Sequence, residues 1–327
     1  MTERTRSRHD AFVSFFPGQR HGRKDGRKDS TIMSCIRAVR RATLAWPAGD
    51  PVRVSGREDP MPPMPAGSRY VAMGSSFAAG PGIAPRAPAS PRRAGRSSGN
   101  YAHLVARALG LDLQDVTYSG ATTSDILRPS AGGQPAQLDA VTADTRLVTI
   151  TAGGNDVGYL PRLTLASLPW PLRALPRVRA RVAGFGDPDA TDERFAQLEG
   201  NLAMIGRRLG DRAPGCRVLF VDYLTILPPH GDDRGGPPPA EVAEWGRAIA
   251  ARLATTTQAA AEAADCEYVA VSAVSASHHA WSASPWTRRF HLSLRGGAPY
   301  HPDAAGMAAV AELVLATLAE PPGRFVG

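Results

Sequence analysis

The sequence predicts an α/β fold of three layers, a doubly wound parallel sheet of five strands with helices on both faces. From Arg69 onward, short runs rich in Val and Ile alternate with stretches whose apolar residues recur every three or four positions. Short apolar runs fit strands buried on both faces, and regular alternation with helices makes the sheet parallel. There is no internal repeat, and no run of eighteen apolar residues to cross a bilayer.

The expected strands are Arg69–Met73, a weaker one at Leu113–Tyr118, then Arg146–Thr151, Arg217–Asp222 and Glu267–Val271. Between them, Phe195, Leu198, Leu202, Ile205 and Leu209 form a helical stripe behind Thr191, a candidate N-cap. Val242, Trp245, Ile249 and Leu253 form a second stripe. Met307, Val310, Val314 and Leu318 form a third, stopped by Pro321 and Pro322.

Organisation follows from where this pattern stops. Residues 1–66 read as a basic, Pro- and Gly-rich disordered tail, 67–320 as one folded domain and 321–327 as a short C-terminal tail. Translation starting at Met61 or Met64 would remove most of the first segment. The net charge of +8 is mostly a property of that segment: residues 1–60 hold thirteen Lys and Arg against seven Asp and Glu. No nucleic-acid partner is therefore expected for the folded domain, although the tail alone could act as a basic arm. The three cysteines, Cys35, Cys216 and Cys266, form neither a disulfide framework nor a metal-ligand spacing, so no metal is expected. They favour a reducing, cytoplasmic setting, with secretion left open if the start lies elsewhere.

Candidate chemistry gathers at strand ends, where ligands of such sheets bind. "MGSSF" follows the first strand. A phosphate-cradling loop would need its lysine, and the chain's only lysines, Lys24 and Lys28, lie in the tail. A nucleophilic serine on a tight turn is the other functional reading, beside plain turn hydrogen bonding. "YSGATTSDIL" puts Gly120 at the turn after the second strand, "TITAGGNDVG" delivers Asn155 after the third, and "APYHPDAAGM" places His301 just before Pro302 and the last helix.

Taken in order, "MGSSF", "SGATT", "GGND" and "HPDAAG" resemble the GDSL-like, or SGNH, hydrolases over about residues 69–319. The resemblance implies a flavodoxin-like sheet and a carboxylic-ester hydrolase of the esterase or lipase type, with a serine nucleophile, an acyl-enzyme intermediate and no cofactor. It implies Ser76 as nucleophile and His301 as its base. Ser76 and Gly120 would offer backbone N–H groups, and Asn155 its side-chain amide, to the oxyanion. A catalytically weak or inactive binding protein on the same fold is the alternative. Substrates would be small-molecule esters or lipids, with the protein a monomer.

Two departures from the family pattern bear on the chemistry. Ser75 stands where relatives carry Asp, and Ala298 stands where they often carry the acid that orients the histidine. No Asp or Glu occurs between Glu267 and Asp303. A Ser76–His301 dyad steadied by a backbone carbonyl at Ala298 is the resulting expectation, with Asp303 turned to the helix N-terminus. His278, His279, His103 and His291 are the rivals to His301. Trp281 and Ala94 replace cysteines of secreted relatives.

Finally, the stretch between Asp156 and Asp187 carries five arginines, four prolines, Trp170 and no carboxylate. It reads as a substrate loop or lid suited to an acyl chain or an anionic amphiphile, with a peripheral membrane contact open to it. Trp170 and Trp286 are its expected substrate-facing aromatics, with Phe290 at the same mouth.

Overall fold

The computed structural model describes residues 64–231, 238–292 and 298–321. Nearly all of the expected tail, residues 1–63, and with it Cys35, lies outside the described residues, as does 322–327 at the other end. Met64 already packs on the core.

The strands are β1 (Arg69–Gly74), β2 (Asp112–Asp115), β3 (Thr145–Thr151), β4 (Arg217–Val221) and β5 (Glu267–Val269). They form one parallel sheet in the order β2-β1-β3-β4-β5, the flavodoxin-like arrangement. Every residue of β1 after Arg69 is buried, as both faces of the sheet are covered. β2 is the exception: its alternation of exposed and half-buried residues is that of an edge strand. It was expected to reach Tyr118 but ends at Asp115, whose carboxylate accepts from Thr117 N–H at 3.0 Å and turns the chain away.

In chain order the helices are α1 (Ser76–Ala79), α2 (Tyr101–Leu109), α3 (Thr123–Leu127), α4 (Tyr159–Ala166), α5 (Trp170–Arg173), α6 (Pro176–Gly186), α7 (Pro188–Arg212), α8 (Ala240–Ala263), α9 (Val271–Val274) and α10 (Ala304–Leu318). α2 packs on α10, while α7 packs on α8 and α3. Phe195, Leu198, Leu202, Ile205 and Leu209 are all buried, as their spacing predicts. Thr191 is not the N-cap: α7 starts a turn earlier, where Asp187 accepts from Ala190 N–H at 3.0 Å and Pro188 fits the first turn. Pro302 sits just outside α10, whose cap is Asp303, accepting from Gly306 N–H at 2.9 Å.

The segment expected as a loop after Asp156 is instead α4, α5 and α6. Proline supplies the reason, since Pro171 and Pro176 fall in first turns, where a missing N–H costs nothing.

Arg217 fastens the end of the chain to the sheet. Its guanidinium meets Glu267 through two N–H···O contacts, of 2.8 and 2.5 Å, and also donates to the Thr317 and Leu318 carbonyls at the end of α10.

Candidate active site

The order of the sheet puts β1 between β2 and β3, so the chain leaves β1 on one side and returns on the other. The C-terminal ends of these strands therefore flank a crevice. Ser76 follows β1, Gly120 the end of β2, and Asn155 follows β3.

Gly74 makes the turn after β1 possible. It has φ +131°, and a Cβ there would stand 2.2 Å from the Thr151 carbonyl oxygen on the neighbouring strand. Gln137 clamps the same residue, accepting from Gly74 N–H at 2.7 Å and donating to its carbonyl at 3.1 Å. α1 then starts at Ser76, which is buried except for a small accessible remnant.

His301 arrives from 225 positions away, with Nε2 2.7 Å from Ser76 Oγ. Its Nδ1 lies 2.8 Å from the Pro299 carbonyl oxygen, so Nδ1–H donates there and Nε2 is left as an acceptor. The expected orienter, the Ala298 carbonyl, is thus corrected to Pro299. Tyr300 between them has φ +64°, a left-handed conformation that folds the carbonyl back onto the ring of the second residue along. Two bonds brace this turn, Arg288 N–H to the His301 carbonyl at 2.9 Å and Tyr300 N–H to the Arg288 carbonyl at 3.1 Å. Burial pushes the imidazole down to about 4, with the Pro299 carbonyl opposing and Arg288 reinforcing that shift.

Gly120 has φ +85° and open space where a side chain would be. The Gly120 and Ser76 N–H groups donate to no acceptor among the described residues. Asn155 reaches across to the Gly120 turn, its Nδ2 donating to the Ala121 carbonyl at 2.9 Å, which leaves its second amide hydrogen uncommitted. The structure thus brings Ser76 and His301 into contact and ties Asn155 to the turn that carries Gly120.

Sequence reasoning passed over the residues that hold these parts in place. Asp156 accepts from Thr123 N–H at 3.0 Å and from Thr123 Oγ1 at 2.5 Å, joining the end of β3 to α3. Burial raises its carboxyl above the usual range, opposed by those bonds. Tyr223 accepts from Gly154 N–H at 2.9 Å, and its hydroxyl lies 3.3 Å from Ser75 Oγ. Position beside Asn155 was a faint signal for Asp156; nothing local marked Tyr223 or Gln137.

The rival histidines lie elsewhere. His278 stacks on Trp286 at 3.9 Å and its Nδ1 is 2.8 Å from the Ser284 carbonyl oxygen. His279 Nδ1 accepts from Trp281 N–H, His103 lies beside Asn100 and Asp115, and His291 lies beside the Arg289 carbonyl. Of the two expected substrate-facing tryptophans, Trp170 is 72% exposed. Trp286 is only 8% exposed, and its placement is corrected from substrate-facing to packed, its ring stacked on His278. Phe290 packs beside Tyr300, with ring centroids 6.1 Å apart.

A cavity of about 380 Å³ adjoins the Gly120 turn, with Val116, Tyr118, Ala121, Pro135 and Ala136 among its walls. Among the described residues no cluster of three His, Cys, Asp or Glu side chains could hold a metal ion, and no helix is long and apolar enough to cross a membrane. Cys216 and Cys266 are free thiols, both pushed up to about 12 chiefly by burial.

Comparison with known proteins adds relatives to this geometry. Residues 72–309 match the sequence model of the GDSL-like Lipase/Acylhydrolase family. Lipase 2 of Streptomyces coelicolor is 35% identical over 252 residues, which cover 74% of this chain and 83% of that protein. The crystal structure of an extracellular lipase from Streptomyces rimosus superposes with a TM-score of 0.63 at 25% identity, over 76% of this chain and 99% of that one. A phospholipase A1 from Streptomyces albidoflavus, at 24% identity, shares the fold with a TM-score of 0.62 over 77% and 99%.

Proposed function

From the premise that the chain belongs to the GDSL-like lipase/acylhydrolase family and is a carboxylic-ester hydrolase, we propose that it works through an acyl-serine formed on Ser76. The observation that carries this reading is the 2.7 Å contact between Ser76 Oγ and His301 Nε2, with Nδ1–H already committed to Pro299.

The steps follow from that tautomer. As Ser76 Oγ bonds to the ester carbonyl carbon, its proton passes to Nε2. The carbonyl π electrons move onto oxygen, and the charge is met by the N–H groups of Ser76 and Gly120 and by the free amide hydrogen of Asn155. Each such donor is typically worth about 10²–10³ in rate. Collapse of the adduct expels the alcohol, which takes the proton from Nε2 and leaves the acyl-serine. Water then repeats the sequence, delivering its proton to Nε2 and its oxygen to the acyl carbon; collapse breaks the bond to Ser76 Oγ, which takes the proton back from Nε2 as the carboxylic acid departs. The Pro299 carbonyl holds the imidazole in the accepting tautomer, the role that a carboxylate plays in a triad. The cavity beside Gly120 supplies apolar walls for part of an ester or lipid substrate.

Two readouts test the assignment together. A fluorophosphonate should label the peptide containing Ser76, and p-nitrophenyl butyrate should give a burst of p-nitrophenol. Ser76→Ala should abolish both, with turnover reduced by at least about 10⁴, while Ser75→Ala keeps the label. A label on any other residue overturns the reading.

For localisation, the free thiols of Cys216 and Cys266 support a cytoplasmic setting. The extracellular description of the Streptomyces rimosus relative supports export. Measuring activity in cell pellet and medium decides between them.

A further inference from the structure

Three of the four exposed large hydrophobic residues among the described ones fall within six positions: Trp170 at 72%, Leu172 at 44% and Leu175 at 49%. They occupy α5 and the turn into α6, helices that contain no buried residue at all. Val178, Val182 and Phe185 are half-buried and recur along one side of α6, while Arg177, Arg179 and Arg181 are exposed. No carboxylate intervenes from Val157 to Gly186. The surface is therefore apolar at one end, cationic along its length, and free of acidic residues of its own.

We propose that α5 and α6 form a docking surface for an anionic lipid bilayer. Hydrocarbon side chains beside arginines match a boundary where acyl chains lie below charged headgroups. A nucleic acid would use the arginines but leave Leu172 and Leu175 exposed to water. The surface follows directly on α4, which begins just after Asn155 and at whose end Ser167 lies 2.6 Å, Oγ to OH, from Tyr300 beside His301. The proposal concerns binding and stands apart from the identity of the nucleophile.

Sedimentation of the full chain with vesicles tests it. Phosphatidylcholine vesicles containing about one-third phosphatidylglycerol should bind at least about tenfold more tightly than pure phosphatidylcholine, with binding weakened by salt. The triple variant Arg177→Gln, Arg179→Gln, Arg181→Gln should lose about tenfold or more, and Leu172→Ser with Leu175→Ser should lose a comparable factor. Both should keep the wild-type melting temperature and turnover of dissolved p-nitrophenyl butyrate, showing that they are folded. Equal binding to both vesicle types, or none, overturns the proposal. So does binding that survives both variants, which would place it in the basic residues 1–60. A dimer broken by the leucine changes would assign the surface to a second copy, and tighter binding to duplex DNA than to anionic vesicles would assign it to nucleic acid; either result also overturns it.

Discussion

The Pro299 carbonyl oxygen lies 2.8 Å from His301 Nδ1, two residues along the same strand of chain. A neutral acceptor thus occupies the place where a carboxylate would lie in a triad, and the imidazole it holds is buried and pushed down to about 4. A carbonyl fixes the tautomer but adds no full negative charge to raise the base.

The pH profile follows from that. Neutral imidazole is the form that accepts the serine proton, so kcat/KM for a dissolved ester should rise through about pH 4 and stay level through neutrality. A limb near 6.5, the ordinary histidine value, would contradict the assignment. Stability shifts in the same direction. Because the folded value is depressed, the unfolded chain takes up the proton first. The stabilising contribution is complete above pH 6.5 and is lost as pH falls through about 4.

Asp156 is expected to act as a positioning residue. It holds Thr123, and through it α3, against the strand end that carries Asn155. Asp156→Ala should lower kcat by roughly 10- to 100-fold with little change in KM for a soluble ester, the pattern of interactions strengthened only in the transition state. Asp156→Asn should recover part of the loss, since its carbonyl oxygen can still accept from Thr123. A rise in KM at unchanged kcat would count against this role.

Gly74→Ala should damage the fold itself. The added Cβ would sit 2.2 Å from the Thr151 carbonyl oxygen at a backbone φ that L residues avoid. The central strands cannot part without breaking their ladder, so a loss of about 3 kcal/mol or more is expected in chemical denaturation. A midpoint within error of wild type would refute that account.

Tyr223→Phe should be milder. It leaves the buried Gly154 N–H without its 2.9 Å acceptor, which costs roughly 1–3 kcal/mol. Gly154 precedes Asn155, so turnover should fall along with the melting temperature. Unchanged stability would show that water replaces the hydroxyl.

Strands β1, β3 and β4, the starts of β2 and β5, the three long helical stripes and the residues at the strand ends could be read from the chain, because periodicity and turn chemistry are local properties. Gly74, Gly120 and Asp303 are each legible from their neighbours, since a tight turn or a helix cap involves only a few consecutive residues. Ser76 and His301 were paired by their resemblance to a family; no local signal links positions 225 apart. Tertiary structure decided what depends on distant groups meeting: that Pro299 rather than Ala298 turns its carbonyl to the imidazole, that Gln137 clamps Gly74, that Tyr223 braces Gly154, and that Trp286 is buried with its ring on His278. Each depends on one backbone torsion or one long-range packing contact, and neither leaves a periodic trace in the order of residues.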